Sequence, residues 1–344
     1  MSADTGAAPG TSSVEAGMAA LQQGNRGAAR KHFAQALRTD PSNVQAHHFA
    51  GGLAFEAGQY KDALEHFEAA CRLDPRGAIH QFNSAVTLQK LNQPDAAQRR
   101  CEATLALDPA FEPAHSVLAA LTLRGPWYLD IMSMIHVHVH PRTYIEIGVE
   151  SGQSLALALP ETRAIGVDPE PKISVPLGPQ MRVVAERSDD YFASHDVQAE
   201  LGGLPIDLAF IDGMHQFEFA LRDFMNLERL SSPTSTVLVH DCFPLSRLTA
   251  ERDRRTTFWS GDIWRLILLL KRHRPDLAVD VIATAPTGLG VIRRLDPGSR
   301  VLHDRYQEIV REFLAIDYSA LETDKRGMLG LFPNDWERIK TILQ

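Results

Sequence analysis

The stretch Tyr144-Ile-Glu-Ile-Gly-Val-Glu-Ser-Gly152-Gln-Ser154 decides the fold of the second half of this chain. A short apolar run leads into a glycine turn, and Leu155, Leu157 and Leu159 then continue as an apolar helical pattern. Glycine is required where the backbone turns sharply and approaches a ligand closely. A strand, a tight turn and the start of a helix in this order predict a nucleotide-type binding site.

The spacing of the acid and the glycines narrows the choice of ligand. Glu146, Gly148 and Gly152 form the pattern E-x-G-x-x-x-G, whereas dinucleotide-binding enzymes carry G-x-G-x-x-G after their first strand. We therefore expect S-adenosylmethionine rather than NAD at this turn.

Composition excludes several classes of protein. The 344 residues carry a net charge of -8 with a pI near 6.0, whereas a general nucleic-acid binder needs a basic surface. Cys71, Cys101 and Cys242 are odd in number and lack C-x-x-C spacing, which is typical of reduced thiols in a cytoplasmic protein. Residues 1–13 are small and polar, which predicts a flexible tail rather than a signal peptide. The longest apolar run, 263–270, is too short to span a bilayer.

Asp-Pro recurs with a fixed period in the first third of the chain. The pairs begin at Asp40, Asp74 and Asp108, a period of 34 residues, and a period of this length indicates stacked helical repeats. Small residues let two antiparallel helices approach closely, and Gly or Asn ends the first helix of each pair with positive φ. Five further sets of residues keep the same frame: Gly17, Gly51 and Ala85; Gly24, Gly58 and Asn92; Ala29, Ala63 and Ala97; Phe33, Phe67 and Cys101; Ala36, Ala70 and Thr104.

This pattern resembles an array of three tetratricopeptide repeats over residues 14–123, with a capping helix at 112–123. The resemblance implies a surface that binds a protein or peptide partner. The alternative is an array that packs on the domain that follows it or on a second copy of the chain. His47, His48 and His80 lie on first helices. They would either face the groove of the array or be exposed without partners, and we expect the second.

Residues 124–142 are predicted to form a linker helix. Arg124-Gly-Pro-Trp127 breaks the repeat pattern, and the apolar spacing that follows suits a helix that Pro141 ends. On such a helix His136 and His140 share one face, so a metal site on these two histidines is the alternative to a plain helix.

Strand-like and helix-like runs alternate from Arg142 onward, which predicts a parallel sheet covered on both faces. We place one α/β domain at residues 143–295, with a hairpin as its last two strands. C-terminal helices over residues 296–344, around 306–314 and 334–343, would pack on this domain or form a dimer contact. The strand candidates are Thr143–Ile147, Arg163–Val167, Met181–Val184, Ile206–Ile211, Thr234–His240, Ala278–Ala283 and Gly288–Arg293, with a helix at Asp262–Arg272.

Polar residues follow the carboxyl ends of these strands, where open α/β sheets bind ligands. Asp168 ends the second strand, 20 residues after Gly148, where a carboxylate can accept both hydroxyls of a ribose. Ser188 follows the third strand, where an adenine would lie. Asp212 ends the fourth strand and His240-Asp241 ends the fifth. The alternative for these aspartates is plain capping of strands or helices.

As an ordered set, these residues resemble the class I S-adenosylmethionine-dependent methyltransferases of the catechol O-methyltransferase-like group. They are most similar to its bacterial relatives that act on sugars and antibiotics. The resemblance covers about residues 142–295 and implies a seven-stranded, Rossmann-like sheet after the all-α array. It implies cofactor contacts from Glu146, Gly148, Gly152 and Ser154 at the methionine end, Asp168 at the ribose and Ser188 at the adenine.

The same resemblance implies a metal site and a base. Asp212 and Asp241, with His240, would hold a Mg²⁺-type ion, although the family more often has an acid in place of His240, which leaves room for Mn²⁺ or a softer ion. Catalysis would need the acceptor oxygen held at attack distance and its proton removed. We assign Asp212 and His215 as the catalytic residues; the alternative for His215 is a structural role in the Asp212 loop.

The sequence therefore predicts an O-methyltransferase that modifies a sugar or a glycosylated small molecule, with repeats that bind a protein partner. Two other interpretations stay open, a scaffold whose methyltransferase-like domain does not catalyse and a hydroxylase-like enzyme on the same fold. Trp259 would either wall the acceptor pocket or belong to the core, and Asp262 would cap the helix that it begins.

Overall fold

A computed structural model describes residues 9–344, which divide into two units, one up to Leu121 and one from Thr122. Most of the predicted flexible tail, residues 1–13, lies outside the described residues. Residues 9–13 of the predicted tail are helical instead, as part of the first described helix, which begins at Pro9. Proline is compatible with this position, since the first turn of a helix needs no backbone N–H donor there.

The described part of the first unit is built from helices that pack in consecutive pairs. The first six helices contact one another most extensively within each consecutive pair, and the three pairs stack on one another. The helices are α1 Pro9–Gln22, α2 Arg26–Thr39, α3 Val44–Glu56, α4 Tyr60–Leu73, α5 Ala78–Lys90, α6 Pro94–Leu107 and α7 Glu112–Thr122.

The frame of small and aromatic residues explains this packing. A Cβ atom on Gly17 would lie 2.6 Å from the Phe33 ring, and one on Gly51 would lie 2.8 Å from the Phe67 ring. Each glycine thus opens the space that a buried aromatic ring of the paired helix fills. The turns within the pairs have positive φ at Gly24, Gly58 and Asn92. The predicted repeat architecture is confirmed at each of these positions.

The histidines of the repeats have partners, so the prediction that they are exposed and unpaired is wrong. His47 Nδ1 lies 3.1 Å from His66 Nδ1, and His47 Nε2 lies 3.0 Å from the Pro41 carbonyl oxygen. His48 Nδ1 lies 3.4 Å from His80 Nδ1, and His80 is buried. Burial lowers the pKa of both His48 and His80. His48 and His80 therefore join α3 and α5 as neutral hydrogen-bonding groups, and His47 joins α3 to α4 through His66.

The second unit is built on one mixed sheet of eight strands in the order β3-β2-β1-β4-β5-β7-β6-β8. The first five strands are parallel, and β7 runs antiparallel to both of its neighbours. Five parallel strands and a hairpin agree with the prediction, whereas β8 is an addition from the C-terminal segment that pairs with β6. The strands are β1 Thr143–Ile147, β2 Arg163–Val167, β3 Met181–Val184, β4 Ile206–Ile211, β5 Ser231–Val239, β6 Ala278–Ile282, β7 Leu289–Arg293 and β8 Leu331–Phe332.

The helices of this unit depart from strict alternation with the strands. The helix expected after β1 is only a 3-10 turn at Leu155–Leu157, because Pro160 follows closely and disfavours helical backbone at Leu159. No helix in the described chain is both long and apolar enough to cross a membrane. The α-helices are α8 Tyr128–Val139, α9 Ser188–Ser194, α10 Val197–Glu200, α11 Phe217–Leu230, α12 Trp264–His273, α13 Val301–Asp304, α14 Tyr306–Leu314, α15 Ser319–Glu322, α16 Lys325–Leu329 and α17 Trp336–Leu343, with a second 3-10 turn at Leu248–Ala250.

Helices from outside the predicted domain cover the sheet face that lacks a helix after β1. Ile131, Met132 and Ile135 of α8 and Ile339 of α17 pack in one buried cluster with residues of β1, β2 and β4. Burying an aliphatic side chain of this size contributes about 1.5 to 3 kcal/mol. A second cluster on the other face draws on α9, α11, α12 and α14. Both cores therefore extend beyond residues 143–295.

His136 of α8 is enclosed in this apolar layer. Its ring is 0% exposed and contacts the Tyr144 ring edge-on at 4.7 Å, and neither ring nitrogen has a hydrogen-bond partner among the described residues. Burial lowers the pKa of His136 to about 4. His140 is exposed and lies 3.9 Å from Glu161. The two histidines do not converge, so the structure favours a plain helix over a metal site here.

We predict that His136 makes the fold sensitive to acid. With a folded pKa of about 4 and an unfolded value near 6.5, the unfolded chain binds the extra proton between these values, and the free energy of unfolding rises with pH across that window. Between pH 8 and pH 5, the free energy of unfolding of the wild type should fall by about 2 kcal/mol more than that of His136→Leu. Urea unfolding at a series of pH values measures this difference.

His138→Leu is the matched control, since His138 lies on the exposed side of the same helix. This variant keeps His136, so it should keep the loss of stability at acid pH that we assign to His136. Parallel curves for the wild type and His136→Leu would contradict the prediction.

Candidate functional site

The glycine turn after β1 exists because two strand ends meet there. Gly148 has a φ of +84°, and a Cβ atom on it would lie 2.1 Å from the backbone oxygen of Asp212. Gly152, at the other end of the turn, has a φ of +82°. A side chain at Gly148 would therefore force apart the carboxyl ends of β1 and β4, whose residues pair directly.

Asp168 holds this turn through its carboxylate. One oxygen accepts hydrogen bonds from the backbone amides of Val149 and Glu150, both at 2.9 Å, and the other accepts from the Glu170 amide at 2.7 Å. Glu150 itself has a positive φ of 43°, which the two amide contacts help to maintain. Asp168 also lines a large cavity, so its position suits the predicted contact with a ribose, but three amides already share its oxygens.

Glu146 lies beneath the turn rather than on the cavity surface. It is 0% exposed and accepts hydrogen bonds from the hydroxyl groups of Ser154 and Tyr144, both at 2.6 Å. Burial raises the pKa of Glu146 to about 8 despite these hydrogen bonds. Glu146 therefore positions Ser154, which does line the adjoining cavity.

Two cavities meet above the carboxyl edge of the sheet. The larger, about 740 Å³, extends past Asp168 and Ser188 toward α11, and the smaller, about 380 Å³, extends past Tyr128 and His240. Both predicted cofactor positions, the acid after β2 and the serine after β3, thus lie in the larger cavity. The residues shared by both linings mark the junction: Gly148, Glu150, Asp212, His215, Thr257 and Trp259.

Four of the predicted residues form one cluster at this junction. His240 Nδ1 lies 3.0 Å from Asp212 Oδ1 and 3.5 Å from Asp241 Oδ2. His215 Nδ1 lies 2.9 Å from the same Asp241 oxygen. Asp241 Oδ1 accepts a hydrogen bond from the Thr287 hydroxyl at 2.6 Å. The ends of β4 and β5 therefore bring the predicted acids and histidines together.

The charges in the cluster reinforce one another. Burial alone would lower the pKa of His240, but Asp212 and Asp241 raise it well above its ordinary value. Burial would raise the pKa of Asp241, but His240 and His215 hold it well below its usual range. Burial alone would also lower the pKa of His215, but the charge of Asp241 outweighs burial and raises the pKa of His215. Ligand oxygen and nitrogen atoms of Asp212, His240 and Asp241 lie within 4.8 Å of one another.

Trp259 lies in the wall of both cavities rather than in the core. Its ring stacks on the His215 ring at 4.8 Å and 6°, and its backbone oxygen lies 3.2 Å from His215 Nδ1. The buried core tryptophan of this region is Trp264 instead.

Asp262 has a different partner from the one predicted. It does not cap α12, whose N-cap residue is Ile263. Its carboxylate accepts hydrogen bonds from the Phe217 amide at the start of α11, from Arg252 at 2.8 Å and from Arg265 at 3.0 Å. Asp262 therefore ties the 243–262 segment, which contains Trp259, to the helix that follows Asp212.

Three residues at the site were missed by sequence reasoning. Tyr128 stacks on His240 at 4.3 Å, Thr287 holds Asp241, and Asp223 lines the larger cavity. None of them directly follows a parallel strand, which is the signal that points to the others. Tyr128 comes from the linker helix and Thr287 from the hairpin turn, so only the folded chain brings them to the cluster.

Comparison with known families identifies the same two parts. Residues 14–78 and 54–121 match family models described as tetratricopeptide repeat, and residues 145–242 match a family model described as methyltransferase domain. The chain therefore combines a tetratricopeptide repeat array with a methyltransferase domain of class I architecture. No curated protein sequence matches the chain.

Solved structures of repeat proteins match about a third of the chain. MamA from Desulfovibrio magneticus RS-1 is 22% identical, with a TM-score of 0.32, over 33% of this chain and 65% of that one. The first tetratricopeptide domain of Spaghetti (RPAP3), solved with an HSP90 peptide, is 18% identical, with a TM-score of 0.32, over 33% and 89%. YrrB, described as having an unusual peptide-binding site, is 20% identical, with a TM-score of 0.31, over 36% and 64%.

We predict that Gly148 cannot be replaced. Gly148→Ala adds a Cβ atom against the Asp212 backbone and also strains a positive φ. The strain alone costs about 1 kcal/mol, and the clash adds a displacement of β4 on top of it. Urea unfolding should show a loss more than twice that of a positive-φ glycine in open space.

Gly203→Ala supplies that comparison, because Gly203 has a φ of +76° and a Cβ atom added to it would have no neighbouring atom within 4 Å. Equal losses for the two variants would contradict the close approach of β1 and β4.

Proposed function

We propose that this protein is an S-adenosylmethionine-dependent O-methyltransferase that modifies a hydroxyl group of a sugar or a glycosylated small molecule. The junction of the two cavities carries the proposal. A group-transfer enzyme must hold donor and acceptor with their reacting atoms in contact. Here a cavity with an acid and a serine at its far end adjoins a second cavity that holds a candidate base.

The larger cavity fits the methyl donor. Its volume of about 740 Å³ falls within the range of small-molecule sites. Gly148 has no side chain, so a ligand can approach the backbone of the turn closely. Asp168 lies at the end of β2, and Ser188 begins α9. Bound S-adenosylmethionine supplies a methyl group that is already activated for transfer. The chain has to orient the acceptor oxygen toward that group and remove its proton.

His215 is the proposed base. Its Nδ1 faces Asp241 and the Trp259 carbonyl, both of which accept hydrogen bonds. A histidine whose Nδ1–H is held by a carboxylate presents its Nε2 lone pair for proton transfer. The stacked Trp259 ring fixes the plane of the imidazole. This arrangement supports a catalytic role together with Asp212, which lies at the same junction.

Asp212, His240 and Asp241 suit a divalent cation. Two carboxylates and one imidazole match the ligands of Mn²⁺, and the carboxylates also match those of Mg²⁺. The ligand atoms are close enough to bind one ion together. A cation at this position would lower the pKa of an acceptor hydroxyl group.

The lining of the smaller cavity favours a hydroxyl-rich acceptor. Tyr128, Phe258 and Trp259 supply aromatic surface, while Gln153 and Glu150 supply hydrogen-bonding groups. Sugars combine apolar ring faces with hydroxyl edges, and pockets of mixed aromatic and polar character suit both.

The repeat array is proposed to bind a protein partner, either another protein or a second copy of this chain. The matched repeat families and the regular helix pairs support this role. The three cysteines are buried and free, which supports a cytoplasmic location.

Calorimetry with S-adenosylhomocysteine tests the donor site directly. The wild type should bind it, and Asp168→Ala should weaken binding at least tenfold, because the amides of the glycine turn lose their common acceptor. Asp196→Ala is the matched control, since Asp196 also accepts a backbone amide, that of Ala199, but outside both cavities. Absence of binding by the wild type would overturn the proposal.

A methyl-transfer assay tests the base. With labelled S-adenosylmethionine and a pool of glycosylated small molecules, His215→Gln should lower the rate by about a hundredfold or more. Its affinity for S-adenosylhomocysteine should stay close to that of the wild type, which separates catalysis from binding.

Two outcomes of this assay would change the interpretation. Donor binding without transfer to any acceptor would favour a non-catalytic scaffold. Full activity in excess chelator would mean that Asp212, His240 and Asp241 act without a metal ion, whereas we expect activity to fall and Mn²⁺ or Mg²⁺ to restore it.

A further inference from the structure

Trp127 is an exposed aromatic residue beside the smaller cavity. It is 47% exposed and directly precedes Tyr128, which lines that cavity. The centroids of the two rings lie 6.1 Å apart, with an angle of 50° between the ring planes, which is within the range of aromatic pairs. The Trp127 indole therefore continues the aromatic wall of the smaller cavity toward solvent.

The backbone on both sides of Trp127 is fixed to the cavity wall. Three hydrogen bonds hold it: from the Thr284 hydroxyl to the Pro126 carbonyl at 2.8 Å, from the Asn334 side-chain amide to the same carbonyl at 2.9 Å, and from the Tyr128 amide to the Ala285 carbonyl at 3.2 Å. The last two residues of the 284–287 turn line the smaller cavity. One turn therefore supplies part of the cavity wall and also holds the residues on either side of Trp127.

This arrangement favours a binding role for the Trp127 ring over a packing role. Tryptophan is highly buried on average, whereas about half of this side chain faces water. An indole has only two side-chain torsions, so on a fixed backbone it loses little conformational entropy when it contacts a ligand. Its flat face suits another ring, because aromatic pairs gain energy beyond the area that they bury.

We propose that Trp127 and Tyr128 form an outer subsite of the acceptor pocket, which binds a flat aglycone ring attached to the sugar that is methylated. The preferred acceptor is then a glycosylated small molecule with an aromatic aglycone rather than a free monosaccharide. The inference rests on the proposed function, because it assumes that the smaller cavity holds the acceptor sugar.

Calorimetry on protein saturated with S-adenosylhomocysteine tests the proposal. Pyranosides are offered in pairs, as the methyl glycoside and as the 4-nitrophenyl glycoside of the same sugar, so that only the aglycone differs. For each sugar that binds, the wild type should bind the nitrophenyl glycoside at least about tenfold more tightly. Trp127→Ala should lower this ratio by about tenfold, while its affinities for the methyl glycoside and for S-adenosylhomocysteine stay close to those of the wild type.

Two further variants separate binding from a structural role. Trp127→Phe keeps an aromatic face and should retain most of the preference. Trp336→Ala is the matched control, because Trp336 of α17 lines a separate cavity beside α8, and it should leave the ratio unchanged. A structural defect caused by Trp127→Ala would weaken both glycosides equally and would also leave the ratio unchanged.

The outcomes distinguish this inference from the proposed function. If S-adenosylhomocysteine does not bind, or if no glycoside of either kind binds or is methylated, the proposed function is overturned. If glycosides bind but the wild type does not distinguish the two aglycones, or if Trp127→Ala keeps the wild-type ratio, the outer subsite is overturned alone. If Trp127→Ala does not fold, Trp127→Leu decides the question, since it keeps an apolar side chain without the indole face, and a retained ratio in that variant also overturns the subsite.

Discussion

The site depends on the close approach of two backbones at the carboxyl edge of the sheet. Gly148 lies so near the Asp212 backbone that no side chain fits between them. Asp168 then fixes the path of the turn by accepting its amides. Because these contacts join the ends of β1, β2 and β4, they set the distance between the two cavities. The cluster of histidines and acids stays at the junction only while this spacing holds.

The sheet was the most predictable part of the molecule, because its strands are apolar runs bounded by turn residues. The predicted acids also converged, since parallel strands bring their carboxyl ends to one edge. The prediction of a helix after β1 was wrong because Pro160 limits the backbone before it. The strand β8 has only two residues, too few for a periodic pattern. Tyr128 and Thr287 reach the cluster only through tertiary contacts, which a single sequence does not record.

The histidines show why residue type alone does not give a role. In the repeats, His48 and His80 form a pair between helices, and the pKa of both is lowered. In α8, His136 lies among apolar side chains with its pKa lowered, whereas His240 lies between two acids with its pKa raised. The same side chain thus serves as a neutral link, a core group and a charged partner. Neighbours from distant elements decide among these roles.

The helix α8 closes one face of the sheet and also delivers Tyr128 to His240. These two roles of α8 limit where the chain can be truncated or fused to another domain. The second unit starts at the first residues after the repeats, well before residues 145–242, which match the methyltransferase domain. If the two parts were joined by gene fusion, a fusion point inside α8 would remove side chains that pack on the sheet and would also remove Tyr128 from the site. Exchange of the repeat array is compatible with an intact enzyme only at a boundary that lies upstream of Tyr128.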